Sequence, residues 1–364
     1  MRTPLPSVAT GLRPVCHALA LVVALSALGG AAQGVAAEEP EEGPHALAEL
    51  SLEDLLAIRL PSMTTVLGGH THNAGEWMPM VRFMHMEMGG MRDGTRDLSS
   101  SEVLASFPVT PLSMSTDMLM VGAMYGYSDS LTLMIMAPYI ERSMDLRTSM
   151  MGGVDFNTRS SGWGDTHVSA IYVLWEDYAA SVHFDLGLSI PTGSIDERDD
   201  TPMASNAKLP YPMQLGSGTW DALPGITYVD TEADWQWGGQ LRGTLRFGEN
   251  DNDYTLGDRY ELTGWMQRGL TENLAGSLRV LALSWGSVEG ADPDLNPAMV
   301  PTADPDLQGG ERVDLALGIQ LYSNQGTLAG NRLELEVGAP LYESLDGPQM
   351  STDYWLTLGW SLTF

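Results

Sequence analysis

The chain has 364 residues, 18 basic against 47 acidic side chains, and a formal net charge of −29 at pH 7. Phosphate recognition needs a basic surface, so this balance sets nucleic acid aside as a partner. One cysteine, Cys16, sets aside a disulfide framework.

Arg2 and Arg13 precede a largely apolar run from His17 to Leu28, then small residues ending Val35-Ala36-Ala37. This is the pattern of a secretory signal over 1–37, cleaved after Ala37. Cleavage would leave about 327 residues, no cysteine and a charge of about −31. No later stretch holds ~18 consecutive apolar residues, so no spanning helix is expected. Residues 38–76 read as a periplasmic or plug-like segment, polar and glycine-rich in its second half. Within it, Ser51 and Asp54 are placed as a capping box for a short helix over 51–59.

Alternation begins at WMPMVRFMHMEMGGM, residues 77–91. Met78, Met80, Arg82, Met84, Met86 and Met88 share one parity; Trp77, Pro79, Val81, Phe83, His85 and Glu87 take the other. A period of two places successive side chains on opposite faces of a strand. Similar alternation recurs at 116–127, 130–140, 179–190, 234–247, 311–322, 331–339 and 353–364. Less regular candidates lie at 165–176, 219–229, 257–268 and 273–286. These twelve segments are each near the ~9–11 residues that cross a bilayer as a tilted strand. The links alternate without exception between short (SDS, EDY, DTEA, GLTE, NQGTLAG) and long, as outer-membrane barrels alternate periplasmic turns with external loops. The last strand, DYWLTLGWSLTF, ends on an aromatic, as such barrels do for their assembly machinery. An open sheet would leave unpaired edges that lipid cannot satisfy, so closure follows. The expected fold is all-β: a closed antiparallel transmembrane β-barrel of about 12 strands over 77–364, with a short N-terminal helical or irregular segment.

An arginine on the lipid face costs ~2–4 kcal/mol at mid-bilayer. Arg82 therefore fixes the parity of the first strand, and the methionines go inward with it. Met118, Met120, Met124, Met134 and Met136 join them from the next two strands. Arg242, Arg246, Arg259, Arg279, Arg312, Arg332, Asp314, Glu334 and Glu336 line another sector. The lumen is thus expected to be soft and apolar on one wall and charged on the other. The proposed solute path comprises Arg82, the ten methionines, Arg242 and Arg246. Three readings of the methionine wall stay open: packing against an inserted N-terminal segment, an adaptable slide for apolar or aromatic solutes, or soft-metal handling. His70 and His72 are the candidate metal ligands; His85 is nearby but has outward parity.

Other chemistry is thin. His183 and Asp185 share the inner face with Ser189, but Ser189 lies roughly 13 Å from Asp185 along an extended strand. His167 and Ser169 share a face without a surrounding signature. No catalytic residue and no cofactor are assigned, and the chain is read as a non-enzyme. Asp292, Asp294, Asp304 and Asp306, in two ADPDL repeats, suit calcium but are also ordinary Asp-Pro turn formers.

SGWGD (161–165), LSIPTGS (188–194) and QLGSGTWDALPGITY (214–228) mark strand–turn junctions. Through them the chain, over roughly 77–364, resembles the bacterial outer-membrane barrel family named for the meta-pathway of phenol degradation. The resemblance implies a barrel with a transport role for hydrophobic or aromatic compounds. It carries over no functional residues. The expectation is a monomeric barrel in outer-membrane lipid and lipopolysaccharide of a Gram-negative bacterium, both termini periplasmic, passing small apolar solutes. The alternatives are a copper-linked outer-membrane protein and a non-conducting structural barrel.

Overall fold

The computed structural model describes residues 66–364 except residue 233. The signal over 1–37, its cysteine, the helix over 51–59 and most of the 38–76 segment lie outside the described residues. Among those described, eleven strands form one antiparallel sheet, each paired with its sequence neighbour, and the last pairs with the first. They are β1 (Trp77–Gly94), β2 (Val109–Ser128), β3 (Leu131–Thr148), β4 (Thr166–Glu176), β5 (Ala180–Ile190), β6 (Trp220–Glu232), β7 (Trp235–Phe247), β8 (Arg259–Thr271), β9 (Leu274–Trp285), β10 (Gly310–Tyr322) and β11 (Asn331–Leu362). Two further strands, Arg96–Leu98 and Val154–Trp163, extend β1 and β3 outside the barrel wall.

β11 is antiparallel to β10 through residues 332–345 and antiparallel to β1 through 345–361. A straight strand cannot be antiparallel to two neighbours that themselves run oppositely, so β11 must double back. It does so around Gly347, whose φ of 104° an L side chain rarely adopts. The wall is thus crossed twelve times, as the alternation predicts. At the seam, Trp77 and Phe364 exchange backbone hydrogen bonds at 2.9 and 3.0 Å, leaving no open edge there.

Directly opposed residues in an antiparallel pair point to the same face, so register sorts the two sides. Val121 opposes Val81, and is 45% exposed on the outside; Met124 opposes Met78, and they are 1% and 0% exposed inside. Ile135, Leu186, Leu241, Leu262, Val280, Leu317 and Val337 continue the outward apolar band. Exposed aromatics flank it: Trp77, Tyr127, Tyr172, Trp235 and Trp237 at the short-turn end, and Trp220, Phe247, Tyr260 and Tyr342 at the long-loop end. An apolar band between two aromatic girdles is the outer surface of a lipid-embedded barrel. Val81, Leu358, Trp360 and Leu362 cluster on this face where the sheet closes.

Several strands outrun the periodic segments. β2 begins seven residues before 116, and β3 runs eight residues past 140. The ladder continues there, but the outward residues become Asp117, Ser115 and Ser113 facing Glu141, Ser143 and Asp145. Beyond the hydrocarbon an outward side chain need not be apolar, so the period-two hydropathy signal stops before the strand does.

Candidate functional site

The inner face of β1, β2 and β3 forms six successive levels set by register. They are Met78–Met124–Met134, Met80–Gly122–Met136, Arg82–Met120–Pro138, Met84–Met118–Ile140, Met86–Thr116–Arg142 and Met88–Met114–Met144. Each level carries at least one thioether. All ten sequence-identified methionines lie here. Met114 and Met144 complete the top level and are missed by periodicity, because they sit on the ribbon beyond the hydrocarbon. His85, as its parity requires, points away and holds Asp117 at 2.7 Å on the outside.

The opposite wall is a network of ion pairs. Arg279 donates to both oxygens of Glu336 at 2.9 and 2.6 Å, and its guanidinium lies 5.3 Å from the Trp355 ring centre. Trp355 in turn donates to Asp314 at 3.0 Å. Arg312 lies 2.9 Å from Asp314 and donates to Thr352 at 2.6 Å. Arg246 donates to Asp221 at 2.7 Å, and Arg259 to Glu261 at 2.9 Å. Arg242 lies 3.8 Å from Asp185. Arg82 interacts electrostatically with Glu334 and Glu336, and Arg332 with Glu334 and Glu76. Sequence reasoning misses Trp265 and Trp355 on this wall; their shared parity with the charged residues was the available signal.

Both ends of this lumen are occupied. At the long-loop end, loop 191–219 carries a 3-10 turn, Tyr211–Met213, and loop 286–309 carries two more, Pro301–Ala303 and Pro305–Leu307. Leu209, Met213, Val300 and Ala303 pack in one buried cluster with Val109, Met114, Met144 and Leu146. The loops therefore sit on the top of the methionine wall. Arg142 donates to the carbonyls of Pro212 (2.7 Å) and Gln214, and Ser160 donates to that of Met213 at 2.7 Å. Replacing both donors, Arg142→Met with Ser160→Ala, should leave the turn unlatched. Several-fold more frequent open events in planar-bilayer recordings are expected; unchanged recordings would show that the latch does not control the mouth.

Lys208, the chain's single lysine, joins the loops. Its buried Nζ lies 2.7 Å from Asp196 and 3.1 Å from Asp292. Asp294 pairs with Arg198, and Asp304 caps the turn at Asp306. The ADPDL acids thus form turns and ion pairs. Hydrogen bonds from Lys208, then Asn252, hold the Asp196 carboxyl below its ordinary value. A depressed carboxylate pKa stabilises the fold above the unfolded value, and the benefit is lost as pH falls through the folded value. Acidification below the ordinary carboxylate range should therefore speed proteolytic nicking of loop 191–219, and Asp196→Asn should flatten that dependence.

At the short-turn end, residues 66–72 lie inside the barrel. Gln240 donates to the Leu67 carbonyl at 2.9 Å, and His183 Nε2 contacts the Gly68 carbonyl at 2.7 Å. Val66 packs with Val229 and Trp265. The His72 amide donates to Thr132 at 2.9 Å. This approach needs Gly126, where a Cβ would stand 1.8 Å from the Asn73 carbonyl oxygen. His183 is thereby engaged with backbone rather than a hydroxyl. Its register level differs from that of Ser189, which opposes His167.

Residues 115–278 match the family model described as "Putative MetA-pathway of phenol degradation". The match covers 164 of the chain's 364 residues and says what this segment is similar to. The phenol-degradation match runs from β2 into β9, so it includes part of the methionine wall and part of the charged one. An outer membrane channel from Pseudomonas putida F1 is similar in structure, with a TM-score of 0.56 at 15% identity, over 81% of this chain and 98% of that one. At that identity the likeness shows the fold. The transport unit of the autotransporter AIDA-I from Escherichia coli matches with a TM-score of 0.45 at 9% identity, over 85% and 94%. A TodX monoaromatic hydrocarbon channel matches at 0.44 and 10% identity, over 80% and 90%. No curated protein matches the sequence.

Proposed function

We propose that this barrel is an outer-membrane channel that passes small apolar or aromatic solutes along its methionine wall. The observation that carries the reading is the unbroken run of thioethers, one or more at each of six levels from the short-turn end to the mouth. Methionine is unbranched and polarizable, so it adapts to varied apolar shapes and makes favourable contacts with ring edges. The facing charged wall is self-paired, which leaves it little net charge to bind an ion tightly. The family description, tied to phenol degradation, is of the same solute class. In this arrangement the short turns and both termini face the periplasm, the loops over the mouth face the lipopolysaccharide, and residues 66–72 close the inner end at rest as the end of a plug. The barrel works as a monomer, delivered by the assembly machinery through its last strand.

The test is uptake of a radiolabelled monoaromatic by intact cells expressing the barrel. Uptake several-fold above empty-vector cells is expected, falling to background in Met84→Gln/Met118→Gln/Met120→Gln. These thioethers sit at the third and fourth of the six levels, the middle of the track. Equal uptake by wild type and vector would leave a structural barrel instead.

A further inference from the structure

Residues 66–76 bring His72 onto Thr132, one level below Met78–Met124–Met134, with His70 beside it. Both ring nitrogens of His70, and Nε2 of His72, are buried without a hydrogen-bond partner. The two rings meet edge to face at 5.1 Å between centroids. Glu76 lies 3.4 Å from His72 Nδ1, so the carboxylate takes that N–H and leaves Nε2 as a free lone pair. A carboxylate behind a histidine is the usual support for a metal ligand. His72 is seated on Gly126 and Thr132. The next inner-face level above that pair is Met78–Met124–Met134, and these three pack as one buried cluster with Met80 and Ile171. Among the described residues no three His, Cys, Asp or Glu side chains converge as a metal site, so thioethers must complete any coordination shell here.

We propose that His70, His72 and the Met78–Met124–Met134 level form a site for a soft monovalent metal ion, Cu(I). Imidazole and thioether together select Cu(I) over oxygen-seeking or harder cations. The alternative occupant of the same nitrogens, buried water, would not need sulfur beside it. The site stands whether or not apolar solutes pass above it, because it uses only the inner end of the track.

The experiment is a Cu(I) titration of the full-length barrel, extracted in detergent, against a chromogenic Cu(I) chelator, with X-ray absorption on the loaded protein. One Cu(I) per barrel with mixed nitrogen and sulfur scattering is expected. His70→Leu/His72→Leu should abolish binding, and Met124→Leu/Met134→Leu should weaken it at least tenfold. Glu76→Gln should weaken it by roughly 10–100-fold, the usual cost of losing such support. Each variant is first checked for the heat-dependent gel shift of a folded barrel. Absence of stoichiometric binding by the folded wild type, or full affinity in either double variant, overturns the proposal.

Discussion

Glu336→Leu is expected to destabilise the barrel by about 3–5 kcal/mol, the range for breaking one partner out of a buried ion pair. Glu336 is 1% exposed and takes two hydrogen bonds from Arg279. It is also among the acids that interact with Arg82. Without it, Arg279 loses both of its carboxylate hydrogen bonds and Arg82 loses one of the two acids it interacts with. The measurement is the urea midpoint of the refolded barrel in lipid vesicles. Adding Arg279→Met should recover most of the loss, because an apolar pair of similar volume often replaces a buried ion pair at little cost. A single variant within ~1 kcal/mol of wild type, the range of solvated surface pairs, would mean that the charged wall is bathed in water.

Leu241→Arg should cost about 2–4 kcal/mol, while Phe247→Arg should cost about 0–1 kcal/mol. Both residues lie on the same outward face of β7, and both are more than half exposed. They differ in depth: Leu241 is in the middle of the apolar band, and Phe247 is in the girdle at the long-loop end. A charge in the hydrocarbon must drag water or thin the bilayer, whereas one at the interface finds headgroups. Vesicle refolding yields and urea midpoints separate the two. Equal effects at both depths would contradict the position of the band.

The barrel was legible because its physics is written locally. Arg82 cannot face lipid, and one forbidden side chain fixes the parity of a whole strand. The short and long links then order the strands without knowledge of their pairing. The ends of the strands were not legible. Ser113, Ser115, Asp117, Glu141, Ser143 and Asp145 face outward on ribbons that clear the bilayer, so hydropathy loses its period while the ladder continues. Met114 and Met144 are missed for that reason. The contacts that close the lumen were not legible either. Arg142 reaches the Pro212 carbonyl 70 residues away, and Gln240 reaches Leu67 173 residues away. Such side-chain-to-backbone latches leave no periodic trace. Gly126 looks like any strand glycine until the Asn73 carbonyl is placed against it.

Along β2 the methionines face inward and the aliphatic side chains face lipid, and every other feature of the wall depends on this. Nitroxide labels on cysteines introduced singly at positions 117–124, in a Cys16→Ser background, test this directly. Oxygen accessibility in vesicles should alternate, with maxima at 119, 121 and 123 and minima at 118, 120 and 124. Maxima at the methionine positions, or no alternation through this stretch, would contradict it.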